Sequence, residues 1–189
     1  MKKRQSKKKT NQKSSINSNQ NPYLISLRYL ILLIIMIFGL SIIYSLLTPI
    51  TVSSVVYILK MFYSVQVTKS LIILNSQSFI QIIPACIAGS AHLLLLILNL
   101  TVQMDFKKRI YSIVFSFASL FILNVLRIII LSVLLENNNP LFDITHKLFW
   151  YGLSTLFVVL IWFLNVKLFS IKEIPVYSDI KSLAKAINK

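Results

Sequence analysis

The sequence predicts an all-α integral membrane protein with about four transmembrane helices and an external amphipathic or hairpin segment after the first. Three observations predict it. Hydrophobic residues make up 56% of the 189-residue chain and charged residues 13%, a balance foreign to soluble domains. Several apolar runs reach the roughly 20 residues that a helix needs to cross about 30 Å of hydrocarbon. Sixteen of the twenty Lys and Arg residues fall in terminal or inter-helix segments, where the positive-inside rule places cytoplasmic residues.

The net charge of +15 first suggests nucleic acid, but its distribution argues for a membrane. Eight of the twenty basic residues precede Tyr29, three form Lys107-Lys108-Arg109, and five lie from Lys167 onward. No aromatic-basic stacking segment occurs outside the apolar runs, so no nucleic-acid partner is expected. The basic segments instead favour an anionic inner leaflet. A single cysteine, Cys86, excludes an intramolecular disulfide and paired-cysteine zinc or redox motifs. No cofactor and no metal is expected.

In chain order, residues 1–22 read as a disordered basic tail, because almost nothing in them is apolar. Leu24 to Leu47 is the first span, ended by Thr48-Pro49. Its apolar run is too long for a signal peptide and no small-residue cleavage site precedes Pro49, so it reads as an uncleaved anchor. From Thr51 on, Val52, Val55, Val56, Leu59, Phe62 and Tyr63 keep helical spacing, with Ser53, Ser54, Lys60 and Ser64 mostly opposite. That amphipathic pattern favours an interfacial position. A second spanning pair is the alternative, interrupted by Lys60, Gln66 and Lys69. Val65, Val67 and Leu71 to Leu74, then Asn75 to Ser78 and Phe79 to Ile83, fit a short β-hairpin.

Three further spans follow, Pro84 to Val102, Ile110 to Leu135 and Leu148 to Phe169, with Pro84 suited to a first helical turn. The Asp105 to Arg109 loop is basic and expected inside; the Glu136 to Asp143 loop carries no basic residue and is expected outside. Residues 23–171 form the membrane domain and 172–189 a second basic tail, with both termini cytoplasmic at the cell membrane. Cys86 and His146 then lie near the outer interface. Arg127 lies nine residues before Glu136, roughly 13 Å below the outer helix end, and snorkels toward that surface.

These three residues are the candidate catalytic set, with Asn124 and Asp143 in support. Arg127 costs at least about 2.5 to 3.5 kcal/mol inside a spanning helix, so a carboxylate, a carbonyl, an oxyanion or a lipid phosphate must offset it. Asn124, one turn earlier, shares its face and could orient the guanidinium or bind substrate backbone. Cys86 is either a small packing residue or a thiolate favoured by a helix start. The small residues Ala85, Ala88, Gly89, Ser90 and Ala91 leave room for a peptide or serve tight helix packing. His146 follows Asp143 by three residues; Asp143 could orient its ring, or either Asp143 or Thr145 could cap the helix. His92 is the competing imidazole, but it points away from the thiol and deeper. Trp150, Tyr151 and Trp162 read as interface or packing aromatics.

Cysteine near a helix start, Asn-x-x-Arg-Ile late in the next span and Phe-Asp-x-x-His opening the last resemble the exosortase/archaeosortase family. Here they read Ile82-Ile83-Pro84-Ala85-Cys86, Asn124-Val125-Leu126-Arg127-Ile128 and Phe142-Asp143-Ile144-Thr145-His146. The resemblance runs from about Pro49 to Trp162 and is strongest to short, archaeal-type members. Many members carry Cys-x-Gly, whereas this chain places Gly89 three residues after Cys86. The resemblance implies a membrane-embedded cysteine peptidase or transpeptidase, acting on secreted proteins with a C-terminal motif, transmembrane helix and basic cluster. Cys86 would form the thioester, Arg127 would stabilise the oxyanion and His146 would shuttle the proton. A membrane lipid amine would accept the acyl group.

Two other function classes compete. A non-enzymatic membrane subunit would use Arg127 to hold a lipid or a partner's carboxylate. A transporter fragment is disfavoured by spans without acidic residues, internal repeats or broken helix pairs. No His-Glu-x-x-His and no Gly-x-Ser-x-Gly occurs, which argues against zinc and rhomboid-type proteases. The substrate motif, the balance of hydrolysis and transfer, and the oligomeric state leave no signal in the sequence.

Overall fold

A chain immersed in hydrocarbon must satisfy its backbone internally, and a helix does so within one segment. The computed structural model describes residues 22–171 except 76 and 103. The basic tails expected over 1–22 and 172–189 lie outside those residues, Pro22 excepted. Helix α1 (Pro22–Leu59) leads to strands β1 (Val65–Thr68), β2 (Leu71–Leu74) and β3 (Ser78–Gln81). Helices α2 (Pro84–Ile87), α3 (Gly89–Thr101) and α4 (Phe106–Glu136) follow. Helices α5 (Leu141–Leu148) and α6 (Ser154–Leu168) are joined by a π-helical turn at Phe149–Leu153. Three stretches are long and apolar enough to cross a membrane, Leu30–Leu59, Phe106–Glu136 and Leu141–Leu168; Gly89–Thr101 is apolar but shorter. The helical membrane class therefore holds, with three long helices where about four spans are expected.

The first helix does not stop at Thr48-Pro49. Pro49 removes the N–H that would reach the Ser45 carbonyl, yet α1 continues to Leu59. The Thr48 hydroxyl donates to the Tyr44 carbonyl at 2.5 Å. What carries the helix onward is burial: Thr51, Val52, Val55, Val56 and Leu59 are all buried, while Ser53 is exposed. The amphipathic stripe is thus real over residues 51–59. It covers protein rather than lying free at an interface, and Phe62, beyond the helix end, is 74% exposed. At roughly 57 Å, α1 exceeds the hydrocarbon thickness. The first half turns Ile31, Ile34, Ile37 and Phe38 outward, as a lipid-facing helix does.

The hairpin expectation grows by one strand. β1, β2 and β3 form an antiparallel meander with Val65 opposite Leu74 and Leu71 opposite Gln81. Alternation in β2 buries Ile72 and Leu74 completely against Val55, Leu59, Val125 and Ile128. Asn75, in the left-handed conformation at φ 44°, fixes the sheet. Its Oδ1 accepts from the Ser64 N–H and hydroxyl, and its Nδ2 donates to Glu136 Oε1 at 2.7 Å. The sheet is thereby tied to the C-terminal end of α4.

The expected Pro84–Val102 span is broken. Ala88 adopts φ 54°, ψ 35° and separates the four-residue α2 from α3. A left-handed alanine costs roughly 1–2 kcal/mol, offset here by packing on both sides of the break. Gly89 follows because Tyr44 leaves no room for a side chain: a Cβ there would meet the ring at 2.6 Å.

Farther along, α3, α4 and α6 are joined by a fully buried polar cluster. Asn165 Nδ2 donates to Ser116 Oγ at 2.6 Å and to Asn99 Oδ1 at 3.2 Å, and Ser112 Oγ lies 2.7 Å from Asn165 Oδ1. Asn99, Ser112, Ser116 and Asn165 are each fully buried. Such bonds hold helices together where hydrophobic driving force is absent.

Gly89→Ala is expected to destabilise the protein by about 1–3 kcal/mol through overpacking, and by much less in a Tyr44→Ala background. Thermal denaturation of the detergent-solubilised single and double variants measures that coupling.

Candidate active site

The site forms where the ends of several elements converge on Arg127. The guanidinium belongs to α4, and Arg127 is only 6% exposed. Snorkelling to a lipid phosphate requires an exposed head group, and this one is enclosed. Nη1 donates to Ser154 Oγ at 3.1 Å, and the Phe149 ring centroid lies 5.9 Å from Cζ. Nε has no partner, and among the described residues no carboxylate forms an ion pair with the group. A guanidinium has five N–H donors. Hydrogen-bonding capacity is therefore left for an incoming oxygen.

Arg127 and Cys86 line the same cavity. Cys86 sits in α2, half-buried and in no disulfide. Its N–H bonds to the Ile83 carbonyl at 2.8 Å, and its carbonyl accepts from Asn124 Nδ2 at 2.7 Å. The α2–α4 contact thus holds the backbone carrying the thiol. The expected thiolate-favouring helix start requires correction. A four-residue helix has almost no macrodipole, since that effect needs aligned peptides over several turns. The neighbouring guanidinium is the positive charge that remains.

Asn124 also departs from its expected use. It is 4% exposed and orients Cys86 rather than the guanidinium. His146 lies on the exposed side of α5, stacked on Phe142 with centroids 5.6 Å apart and edge-on to Trp150 at 6.4 Å. Asp143 is exposed and makes no hydrogen bond to His146 among the described residues. It does not cap the helix either, because the N-cap is Pro140. Its carboxylate lies in the first turn of α5, where it favours the helix electrostatically. The ring of His146 is oriented by aromatic neighbours instead.

Cys86, Arg127 and His146 line one cavity of about 210 Å³, roofed by Phe79 and Ile82 and walled by Phe142. The chemistry it allows is nucleophilic: a thiol, a cation and an imidazole around a mostly apolar space that Gln81 and Ser132 also line. A larger hollow of about 480 Å³ lies on the other side of Arg127, between Ala85, Ala88, Ala91, Trp150 and Thr155. His92 takes no part. It is 1% exposed, bonds through Nδ1 to the Ala88 carbonyl at 2.9 Å and meets the Phe117 ring edge-on.

Sequence reasoning missed Ser154 and Phe149, which face the guanidinium. No local signal marks them; only the three-dimensional phase of the last helix brings them to Arg127. Comparison of this chain with protein-family models, with curated proteins and with solved structures finds no match.

Asn124→Ala is expected to leave the Cys86 carbonyl unsatisfied and cost about 1–3 kcal/mol. The melting temperature should fall, and a neutral thiol reagent should modify Cys86 faster, as read by intact mass.

Proposed function

We propose that the protein is a membrane-embedded cysteine peptidase or transpeptidase that processes the C-terminal sorting signal of secreted proteins. The observation that carries this reading is the shared cavity of Cys86, Arg127 and His146, drawn from α2, α4 and α5. The Cys86, Asn-x-x-Arg and Phe-Asp-x-x-His motifs resemble the exosortase/archaeosortase family, and the three motif residues facing one cavity support that resemblance.

In this mechanism the Cys86 thiolate attacks the scissile carbonyl, forming the C–S bond. Arg127 donates hydrogen bonds to the developing oxyanion, where a desolvated cation is most effective. His146 gives a proton to the departing amine as the C–N bond breaks, leaving a thioester on Cys86. An incoming amine, of a membrane lipid, attacks the thioester, His146 takes its proton, and the thiolate is regenerated; water in place of the amine yields hydrolysis. The N-terminus and the tail lie inside, and the interrupted α2–α3 segment makes the fourth crossing. The cavity, the sheet and the Glu136 loop then face the extracytoplasmic side of the cell membrane, close to the end of a substrate's transmembrane helix.

Cells expressing a co-encoded protein with a C-terminal apolar helix and basic cluster test this directly. Wild type should convert precursor to a shorter form, and Cys86→Ala, Arg127→Ala and His146→Ala should each accumulate precursor while still inserting in the membrane. Arg127→Ala should lower the rate by about 100-fold or more, the scale set by losing an oxyanion donor. The terminal mass separates hydrolysis from lipid attachment. Normal processing by Cys86→Ala would exclude the covalent route and favour a subunit that uses Arg127 for partner binding.

A further inference from the structure

We infer that Ser154 is a positioning residue, and that the π-helical turn preceding it exists to aim Arg127 at Cys86. The inference rests on the reading of Arg127 as the cation at the thiol. A π-helical turn adds one residue to a helical turn and is a known companion of functional sites. Here the consequence can be followed atom by atom. The backbone N–H of Ser154 bonds to the Phe149 carbonyl, five residues back, and the Ser154 hydroxyl donates to the same carbonyl at 2.7 Å. A hydroxyl has one proton and two lone pairs. With its proton committed to Phe149, Ser154 Oγ can face Arg127 only as an acceptor, and it does so with Nη1 at 3.1 Å.

The same turn delivers the Phe149 ring to the guanidinium, 5.9 Å from Cζ. One edge of the guanidinium is thus held by Ser154 and one face by Phe149. A planar fork fixed at an edge and a face has lost its freedom to rotate. The turn also sets the phase between α5, which carries His146, and α6. In an unbroken α-helix each residue advances about 100°, so removing the extra residue would swing His146 away relative to Ser154. Gly152, within the turn, has nothing within 4 Å of its would-be Cβ, whereas Phe149, at its start, is buried. Ser154 touches neither thiol nor substrate. It acts through Arg127.

Because Cys86 is the only cysteine, its alkylation reports the field at the thiol without any substrate. The full chain in lipid nanodiscs is treated with iodoacetate or iodoacetamide, and the two rates are read by intact mass. A correctly placed guanidinium speeds the anionic reagent relative to the neutral one. Arg127→Gln should lower the iodoacetate-to-iodoacetamide ratio by about threefold or more. Ser154→Ala should lower it most of the way to the Arg127→Gln value, and Ser154→Thr, which keeps the hydroxyl, should restore it. A purely structural role would change both rates together and leave their ratio intact. A wild-type ratio in Ser154→Ala beside a reduced one in Arg127→Gln would overturn the positioning role. An unchanged ratio in Arg127→Gln would overturn its premise. Processing of a tail-bearing substrate by wild type, measured separately, tests the sorting function, so failure there is distinguishable from failure here.

Discussion

One buried charge organises this molecule. A guanidinium inside an apolar helix costs several kilocalories per mole unless the surroundings compensate it, and Arg127 is compensated only in part. Ser154 takes one donor and Phe149 covers one face, while Nε remains unpaired. The rest of the fold explains why that state persists. α2 and the sheet close over the group from one side, and the π-helical turn closes it from the other. An incompletely satisfied cation in an apolar setting is strongly biased to bind an oxygen that carries negative charge. That bias is the chemical content of the site.

The enclosure depends on elements that pack for their own reasons. α1 runs through Pro49 because its last turns bury Val52, Val55, Val56 and Leu59, and that surface seats β2. Asn75 then ties the sheet to Glu136 at the end of α4. β3, carried at the edge of the meander, becomes the roof over Cys86. At the far ends of α3 and α6 and the near end of α4, the Asn99, Ser112, Ser116 and Asn165 cluster clamps the helices. The bundle is held by polar bonds at one end and a small hydrophobic core at the other. Arg127 lies toward the cored end.

Much of this was legible in the sequence because it follows from periodicity and charge. The helical spacing of Val52, Val55, Val56 and Leu59 marks the face that is buried, though it suggested an interfacial position and the face packs on protein instead. Cys86, Arg127 and His146 are drawn together by a simple count of helix ends, and they do line one cavity. What escaped lies in geometry without a residue signature. Ala88 takes a left-handed conformation that alanine rarely adopts, so nothing local marks the break between α2 and α3. Pro49 reads as a stop, yet tertiary burial outweighs it. The π-helical turn has no composition of its own, and the partners in the Asn/Ser cluster are as many as 66 residues apart. Asp143 differs for the opposite reason: spacing of three residues from His146 suggested an orienting carboxylate, but both residues are exposed on α5 and no hydrogen bond joins them among the described residues.

The account stands on a covalent bond to Cys86, and trapping that bond tests it most directly. The protein would be purified under acid quench from cells co-expressing a tail-bearing substrate, as wild type and as a Cys86→Ala control. Intact mass should show a Cys86 adduct equal to the substrate portion before the cleavage point, released by neutral hydroxylamine as a thioester must be. Substrate processing that proceeds with no hydroxylamine-sensitive adduct on Cys86 of the wild type would contradict the account.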